Sequence, residues 1–252
     1  MKPWPYPLWI AHRGAGKLAP ENTLAAFRLG AQHGYRMFEC DVKLSADDVP
    51  FLLHDPVLER TTNGRGIAGS LSWQQLTALD AGSWHSSAFA GERLPSLADV
   101  ARFCLGSECL LNIEIKPTPG TEERTGKIVA NEAAKLWADA ATPPLLTSFI
   151  PQALQAAREA QAQLPRGLLL DALWTGWLEV AQKLECVAIV CDQILWDANT
   201  VAQVKNAGLH CLAYTVNEET AAQALLTLGV DGIITDRVDL FAPSSAAAKP
   251  RM

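Results

Sequence analysis

The sequence predicts an α/β protein and, within that class, a closed (β/α)8 barrel of the TIM type. The first observation is that short apolar segments alternate with longer helix-like segments along most of the chain. The second is that eight of the apolar segments are of the parallel-strand type. The third is the length of 252 residues, since a single barrel of this kind takes about 250 residues. Eight βα units in this length favour a closed barrel over an open sheet.

The predicted barrel strands are short runs of mostly apolar residues. They cover residues 8–11, 36–42, 110–115, 145–148, 167–170, 187–190, 211–216 and 232–235. Predicted helices cover residues 24–31, 122–137, 151–161, 175–184, 198–207 and 218–228. Asn22 is the expected N-cap of the first helix and Gly34 its expected end. Gly208 and Gly229 are typical of the ends of two later helices.

Residues 38–55, FECDVKLSADDVPFLLHD, are predicted to form a strand, a turn and a returning strand. Glu39 and Asp41 are two residues apart, so a strand places both carboxylates on one face. A turn centred between Ala46 and Asp47 would set Glu39 opposite His54. The hairpin would then bring two carboxylates and an imidazole together.

Residues 56–109 differ from the rest because turn residues cluster there, with a short helix and then another that begins at Ser96. Ser96 and Asp99 form the S-x-x-D pattern of a capping box. We interpret this region as an insertion within a single barrel domain that spans the whole chain. The tail at 242–252 is rich in Ala, Ser and Pro and is expected to be disordered.

Composition argues against several classes of partner. The net charge is −6 and the pI is about 5.4, which gives no general attraction to nucleic acid or to an anionic membrane. No stretch approaches the ~20 apolar residues of a membrane span, and the proline-broken start is not typical of a signal peptide. The six cysteines form no CxxC pair, which predicts reduced thiols in a cytoplasmic protein. The sequence leaves a homo-oligomer open.

Polar residues are predicted at the ends of three consecutive barrel strands. Because active sites of such barrels lie at the C-terminal ends of the strands, these side chains are expected to meet at one rim. They are His12 and Arg13 after the first strand, Glu39 and Asp41 in the second with His54 returned beside them, and Glu114 and Lys116 in the third.

This set of residues indicates a chemistry. Three crowded carboxylates would repel one another unless a cation neutralised them, which predicts one divalent cation, Mg²⁺ first and Ca²⁺ as the alternative. Arg13 and Lys116 supply positive charge for a phosphate. The two histidines, with ordinary pKa values near 6.5, can accept and donate protons. The set fits metal-assisted cleavage of a phosphate ester; a structural ion-pair network is the alternative, and it leaves both histidines unexplained.

A series of motifs then points to a family. HRGAGKLAPENTLAAF, ECDVKLSADDVPFLLHD, LERTTNG, LPSL, NIEIKP, YTVN and GVDGIITD follow one another along nearly the whole chain. In this order they resemble the motifs of the glycerophosphodiester phosphodiesterase family, most closely its short bacterial cytosolic members associated with glycerol-3-phosphate uptake. The resemblance implies a (β/α)8 barrel with an insertion. It also implies hydrolysis of small-molecule glycerophosphodiesters, such as glycerophosphocholine or glycerophosphoethanolamine, to sn-glycerol 3-phosphate and an alcohol.

The resemblance also implies a role for each residue of the set. Metal ligation would belong to Glu39, Asp41 and Glu114, acid–base catalysis to His12 and His54, and phosphate binding to Arg13 and Lys116. Phe149 and Tyr214, at the ends of two later strands, are expected to contact the apolar side of the substrate.

Two other functions remain open at this point. One is a phospholipase-type phosphodiesterase on the same barrel, although no membrane-binding stretch favours a lipid substrate. The other is a non-catalytic sensor of glycerol phosphate. The pair of histidines argues against a sensor, because binding alone needs no acid–base pair.

Overall fold

The computed structural model describes residues 3–241 and Pro243. In that part of the chain nine strands and eight α-helices are found. The strands are β1 (Trp9–Ala11), β2 (Met37–Leu44), β3 (Pro50–Leu52), β4 (Leu110–Ile115), β5 (Leu145–Ser148), β6 (Arg166–Leu170), β7 (Ala188–Asp192), β8 (His210–Tyr214) and β9 (Gly232–Thr235). The helices are α1 (Leu24–Gln32), α2 (Trp73–Leu76), α3 (Leu97–Gly106), α4 (Glu122–Leu136), α5 (Pro151–Ala160), α6 (Trp177–Lys183), α7 (Ala198–Asn206) and α8 (Glu219–Leu228).

Eight of the strands form a closed parallel barrel, which confirms the predicted (β/α)8 fold. The order around the ring is β1-β9-β8-β7-β6-β5-β4-β2. The ring closes at β1, where Ala11 lies opposite Thr235 of β9 and opposite Phe38 of β2. The remaining strand, β3, pairs with β2 in the antiparallel sense. Each of the eight predicted barrel strands overlaps one observed strand of the ring.

An apolar layer fills the interior of the barrel. It is formed by side chains from most of the barrel strands, namely Ile10, Met37, Leu145, Leu169, Ala188, Val190, Leu212 and Ile234. Tyr6, in the segment before β1, packs against this layer, and its hydroxyl donates a hydrogen bond of 2.9 Å to the carbonyl of Pro143. Burial of this apolar surface stabilises the barrel by about 25 cal/mol per Å². The carboxylates and histidines of the predicted site lie toward the other end of the barrel.

Strand β2 is buried over all of its eight residues. Phe38 and Val42 face outward and share a cluster with Phe27 of α1, the two phenylalanine rings being 5.2 Å apart. Since successive side chains of a strand alternate between its faces, Glu39 and Asp41 point into the barrel. Packing of the outward face thus fixes the direction of the two carboxylates.

The hairpin of β2 and β3 differs from the predicted register. Leu52 lies opposite Val42, which moves every pair by one residue from the prediction. The reason is a three-residue turn that ends at Asp48 with φ of 67°, a turn type that shifts the strands relative to a two-residue turn. The expected pairing of Glu39 opposite His54 is therefore wrong.

Residues 56–109 fall into two parts according to what they pack against. Before α3, Leu58 and Leu76 form a small separate core with Phe51 of β3. The buried residues of α3 instead belong to the main core between the helices and the barrel: Leu97, Val100, Ala101 and Cys104. Helix α3 therefore covers the barrel between β2 and β4. The insertion boundary at 56–109 and the single-domain assignment stay predictions.

Two helix starts test the predicted caps. Helix α3 has the predicted capping box, in which Ser96 accepts from the Asp99 N–H at 3.1 Å and Asp99 accepts from the Ser96 N–H at 3.0 Å. In α1 the N-cap is Thr23, whose hydroxyl accepts from the Ala26 N–H at 3.3 Å. The predicted cap Asn22 is wrong, because Asn22 adopts φ of 59° and turns its side chain toward β2.

The predicted disordered tail at 242–252 lies outside the described residues, apart from Pro243. Within the described part of the chain, no helix has the length and apolar character needed to cross a membrane. All six cysteines are buried and carry free thiols.

Candidate active site

A cavity of about 150 Å³ opens at the C-terminal ends of the barrel strands. Eight of the nine predicted site residues line it: His12, Arg13, Glu39, His54, Glu114, Lys116, Phe149 and Tyr214. The ninth, Asp41, is 1% exposed and lies behind this lining. The structure thus brings the predicted set together at one end of the barrel.

Glu39, Asp41 and Glu114 form a carboxylate cluster in which one oxygen of each lies within 4.8 Å of the others. The sheet register explains the cluster, because Asp41 lies directly opposite Glu114 on the neighbouring parallel strand. Oδ1 of Asp41 is buried and has no hydrogen-bond partner among the described residues, although Nζ of Lys116 lies 3.3 Å away. Clustered oxygens with unsatisfied acceptor capacity are the ligand set that a hard divalent cation prefers.

Asp41 is held between an amide and two cations. Asn22 donates to Oδ2 of Asp41 at 2.8 Å and accepts from its backbone N–H at 3.1 Å. Nε of Arg13 lies 3.2 Å from Oδ2 of Asp41, and Lys116 approaches Oδ1. Burial alone would raise the pKa of Asp41, but Arg13 and Lys116 outweigh burial and hold the pKa well below its usual range. Asp41 is therefore ionised.

The pKa values of the other two carboxyls shift in the opposite direction. Burial, followed by the charge of Asp41, raises the pKa of Glu39 and the pKa of Glu114. Lys116 donates to Glu114 at 2.9 Å and only partly offsets this shift. A cation that binds the cluster would favour the ionised forms, so its binding would release protons.

His12 is oriented by a carboxylate from the opposite end of the sequence. Nδ1 of His12 lies 2.7 Å from Oδ1 of Asp236, while Nε2 lies 3.8 Å from Glu39. Asn217 fixes Asp236 by donating to Oδ2 at 2.9 Å and accepting from its backbone N–H at 2.9 Å. Burial lowers the pKa of His12, but the hydrogen bond to Asp236 and the charge of Glu39 outweigh burial and raise it. Nδ1 is thus engaged and Nε2 faces the carboxylate cluster.

The loop after β1 allows this contact between His12 and Asp236. Arg13 and Gly16 adopt φ of 52° and 56°, a region that favours glycine. A Cβ on Gly16 would lie 2.1 Å from the backbone oxygen of Asp236. Only glycine therefore lets the loops after β1 and β9 touch, which sets His12 beside its partner.

His54 has a carboxylate partner of its own. Nδ1 of His54 lies 2.7 Å from Oδ1 of the next residue, Asp55. Arg60 in turn binds both oxygens of Asp55, from Nε at 2.6 Å and from Nη2 at 3.0 Å. Burial, with the charges of Arg13 and Lys116, lowers the pKa of His54 despite the charge of Asp41 and the hydrogen bond to Asp55. His54 therefore also has its Nδ1 engaged, which leaves Nε2 available for the cavity.

The remaining predicted residues form one wall of the cavity. Phe149 and Tyr214 contact edge to face, with ring centres 5.8 Å apart. Nζ of Lys116 lies 5.9 Å from the centre of the Phe149 ring, a distance at which cation–π attraction operates. The Tyr214 hydroxyl donates to the carbonyl of Leu170 at 3.0 Å. The wall is thus apolar, with one ammonium at its edge.

Several residues behind the site were not predicted. They are Glu21, Asn22, Lys43, Asp55, Arg60, Asn217 and Asp236, and each lies inside one of the motifs quoted above. Only Lys43 could have been found from its position in the sequence, because it continues the two-residue spacing of Glu39 and Asp41 along β2 and so shares their face. Lys43 is 2% exposed and donates to the carbonyl of Lys116 at 3.2 Å, and burial lowers its pKa to about 8.

Replacing Asp236 with asparagine is expected to lower kcat by roughly 10²-fold or more, because His12 loses the charge that fixes its tautomer and stabilises its protonated form. Since Asp236 raises the pKa of His12, we expect a limb of the pH–rate profile, the one predicted to report His12, to move to lower pH. Steady-state kinetics across pH measures both effects. Asp139→Asn, an exposed aspartate on the surface, is the matched control. An unchanged kcat and an unmoved limb would contradict the role of Asp236.

The fold and the site together define a hydrolytic enzyme built on a (β/α)8 barrel. Residues 12–240 match the model of the glycerophosphoryl diester phosphodiesterase family. The chain therefore belongs to this family, whose members are glycerophosphodiester phosphodiesterases.

Individual relatives agree with this assignment. YhdW of Bacillus subtilis is 33% identical over 243 residues, which cover 92% of this chain and 95% of that protein. The glycerophosphodiester phosphodiesterase of Caldanaerobacter subterraneus subsp. tengcongensis is 31% identical over 233 residues, which cover 91% of this chain and 93% of that one. Among solved structures, an Oleispira antarctica phosphodiesterase in complex with its product sn-glycerol-3-phosphate has a TM-score of 0.85 and 34% identity, over 92% of this chain and 93% of that one.

Proposed function

We propose that this enzyme hydrolyses glycerophosphodiesters, such as glycerophosphocholine or glycerophosphoethanolamine, to sn-glycerol 3-phosphate and an alcohol. The observation that carries the proposal is the pairing of two oriented histidines with one carboxylate cluster. Nδ1 of His12 and Nδ1 of His54 each bind a carboxylate, at 2.7 Å in both cases. This arrangement supports a pair of proton-transfer groups, because each ring keeps Nε2 for the substrate.

The cluster of Glu39, Asp41 and Glu114 fits a divalent cation, with Mg²⁺ as the first candidate and Ca²⁺ as the alternative. The fit is supported by the unpartnered Oδ1 of Asp41 and by the oxygen-only donor set. A bound cation would supply positive charge for the phosphoryl oxygens and would offset the repulsion within the cluster.

The protein groups around the cluster would bind the phosphate and move the protons. Arg13 and Lys116 line the cavity and also contact Asp41, which supports a role in binding an anion beside the cluster. The attacking group would be either a water molecule or the glycerol 2-hydroxyl, and in the second case water would then open the resulting cyclic phosphate. One histidine would remove the proton of the attacking group, and the other would protonate the leaving alcohol. Phe149 and Tyr214 would contact the carbon skeleton of the substrate.

The small size of the cavity, about 150 Å³, supports a small polar diester as the substrate. The complex of the related Oleispira antarctica phosphodiesterase with its product sn-glycerol-3-phosphate supports the same assignment. A cytoplasmic location also remains a proposal, supported by six buried free thiols that suit a reducing compartment.

A coupled assay of glycerol 3-phosphate released from glycerophosphocholine tests the proposed reaction. We expect turnover with added Mg²⁺ and loss of turnover when EDTA removes the cation. Turnover of lysophospholipid, but not of glycerophosphocholine, would favour a phospholipase-type enzyme. Binding of glycerol 3-phosphate without turnover of either diester would favour a sensor.

A further inference from the structure

Arg60 joins two carboxylates that lie behind different parts of the site. Its Nε and Nη2 donate to Asp55 at 2.6 and 3.0 Å. Its Nη1 and Nη2 donate to Glu21 at 2.8 Å each. Glu21 belongs to the loop before α1, whereas Arg60 and Asp55 follow β3. One guanidinium thus forms two bidentate contacts across 39 residues of sequence.

Each of these carboxylates holds a residue that lines the cavity. Asp55 binds Nδ1 of His54 at 2.7 Å. Glu21 accepts from Nη1 of Arg13 at 2.8 Å. The guanidinium of Arg60 therefore contacts His54, a proton-transfer candidate, through one intervening carboxylate. It contacts Arg13, a phosphate-binding candidate, through another.

We propose that Arg60 is a positioning residue that fixes His54 and Arg13 in one geometry, so that proton transfer and phosphate binding are aligned by a single side chain. The proposal rests on the proposed functions of His54 and Arg13. It assigns to Arg60 no contact with the substrate.

The shape of the guanidinium explains why arginine suits this position. It is planar and presents five N–H groups in a fixed fork. Here the guanidinium of Arg60 donates four hydrogen bonds. A lysine ammonium is a point charge and cannot hold two carboxylates in bidentate fashion. Arginine thus supplies a fork as well as a charge, and the fork fixes how Asp55 and Glu21 lie relative to each other.

The two histidines of the site differ in the group that holds their carboxylate partner. The carboxylate behind His12 is held by the neutral amide of Asn217, whereas the carboxylate behind His54 is held by a cation. The charged groups acting on His54 are Asp41, Arg13, Lys116 and Asp55. Because Arg60 partly neutralises Asp55, its removal should strengthen the attraction of Asp55 for a protonated His54.

The central experiment compares Arg60→Gln and Arg60→Lys with the wild-type enzyme loaded with Mg²⁺. We expect Arg60→Gln to lower kcat/KM by about 10- to 100-fold, because small misplacements of reacting groups have effects of this size. The loss should appear both in kcat, through His54, and in KM, through Arg13. Arg60→Lys should recover less than half of the wild-type activity. Arg102→Gln, an exposed arginine in a single pair with Asp99, is the control.

Double variants separate the two contacts. In an Asp55→Asn background, adding Arg60→Gln should change kcat by no more than about twofold, since that contact is already lost. In a Glu21→Gln background, Arg60→Gln should change KM by no more than about twofold. Effects that simply multiply in both backgrounds would overturn the proposal. If Arg60→Gln melts below the assay temperature, Arg60→Lys enters the same two backgrounds.

A measurement independent of turnover distinguishes failure of this proposal from failure of the proposed function. NMR titration of the histidine Cε1–Hε1 signals, five in this chain, follows His54 directly. We expect the pKa of His54 to rise by about half a pH unit or more in Arg60→Gln. A lower melting temperature with an unmoved His54 titration would mean a merely structural role and would overturn the proposal. If His54→Ala keeps full activity, the proposed role of His54 fails, whatever Arg60 does.

Discussion

Replacing His12 or His54 with alanine is expected to lower kcat by about 10²–10⁴-fold in each case, because general acid–base catalysis contributes factors of this size. Each ring has its Nδ1 fixed by a carboxylate, so alanine removes a proton-transfer group without leaving a substitute at the same place. KM should change much less than kcat, since neither group is needed for the charge of the bound phosphate. Steady-state release of glycerol 3-phosphate measures both constants.

His33→Ala is the matched control for these two variants. His33 is exposed at the end of α1, and its removal should leave kcat unchanged. Thermal melting of all three variants checks that the fold is retained. Near-normal turnover by a folded His12→Ala or His54→Ala enzyme would remove that histidine from the proposed reaction.

Magnesium is expected to stabilise the wild-type enzyme against heat, and Glu39→Gln should abolish most of this stabilisation together with most of the activity. A cation at 100 times its Kd adds about 2.7 kcal/mol to the free energy of unfolding. Glutamine keeps the size of Glu39 but removes one of three anionic ligands, so cation affinity should fall sharply. Thermal melting with increasing Mg²⁺ measures the effect.

The same variant should change how stability depends on pH. Burial and the charge of Asp41 raise the pKa of Glu39 to about 8, so the folded metal-free enzyme binds a proton that the unfolded chain has already lost. Between about pH 5 and pH 8 the metal-free wild type should therefore lose stability as pH rises. The Glu39→Gln enzyme should lose less stability over the same pH range. Saturating Mg²⁺ should remove this difference between the variant and the wild type.

Glu123→Gln, which removes an exposed carboxylate of α4, should keep the full response to Mg²⁺. A Mg²⁺-induced rise in melting temperature that is equal in Glu39→Gln and in the wild type would exclude Glu39 as a ligand.

The barrel and the convergence of the site could be predicted from sequence for a simple reason. Both depend on local spacing: strands alternate with helices, and polar residues follow the strands at their C-terminal ends. Glu39 and Asp41 are two residues apart on β2, so a strand alone puts them on one face. The register of β2 and β4 then brings Glu114 beside these two carboxylates. The rule that polar residues follow the strands at their C-terminal ends had already predicted that Glu114 would lie there.

The contacts behind the site could not be predicted in this way. Asp236 reaches His12 across 224 residues of sequence, and no local pattern pairs them. Asn22 looked like an N-cap because it precedes a helix, yet tertiary contact with Asp41 competes for the same side chain. The hairpin register depends on Asp48 adopting a positive φ, which is uncommon for a non-glycine residue.

Tyr6 and the apolar layer inside the barrel occupy its N-terminal end. A small molecule therefore reaches the cavity from the side of the loops at the C-terminal strand ends, and the variation of those loops rather than of the barrel interior should set which molecules enter.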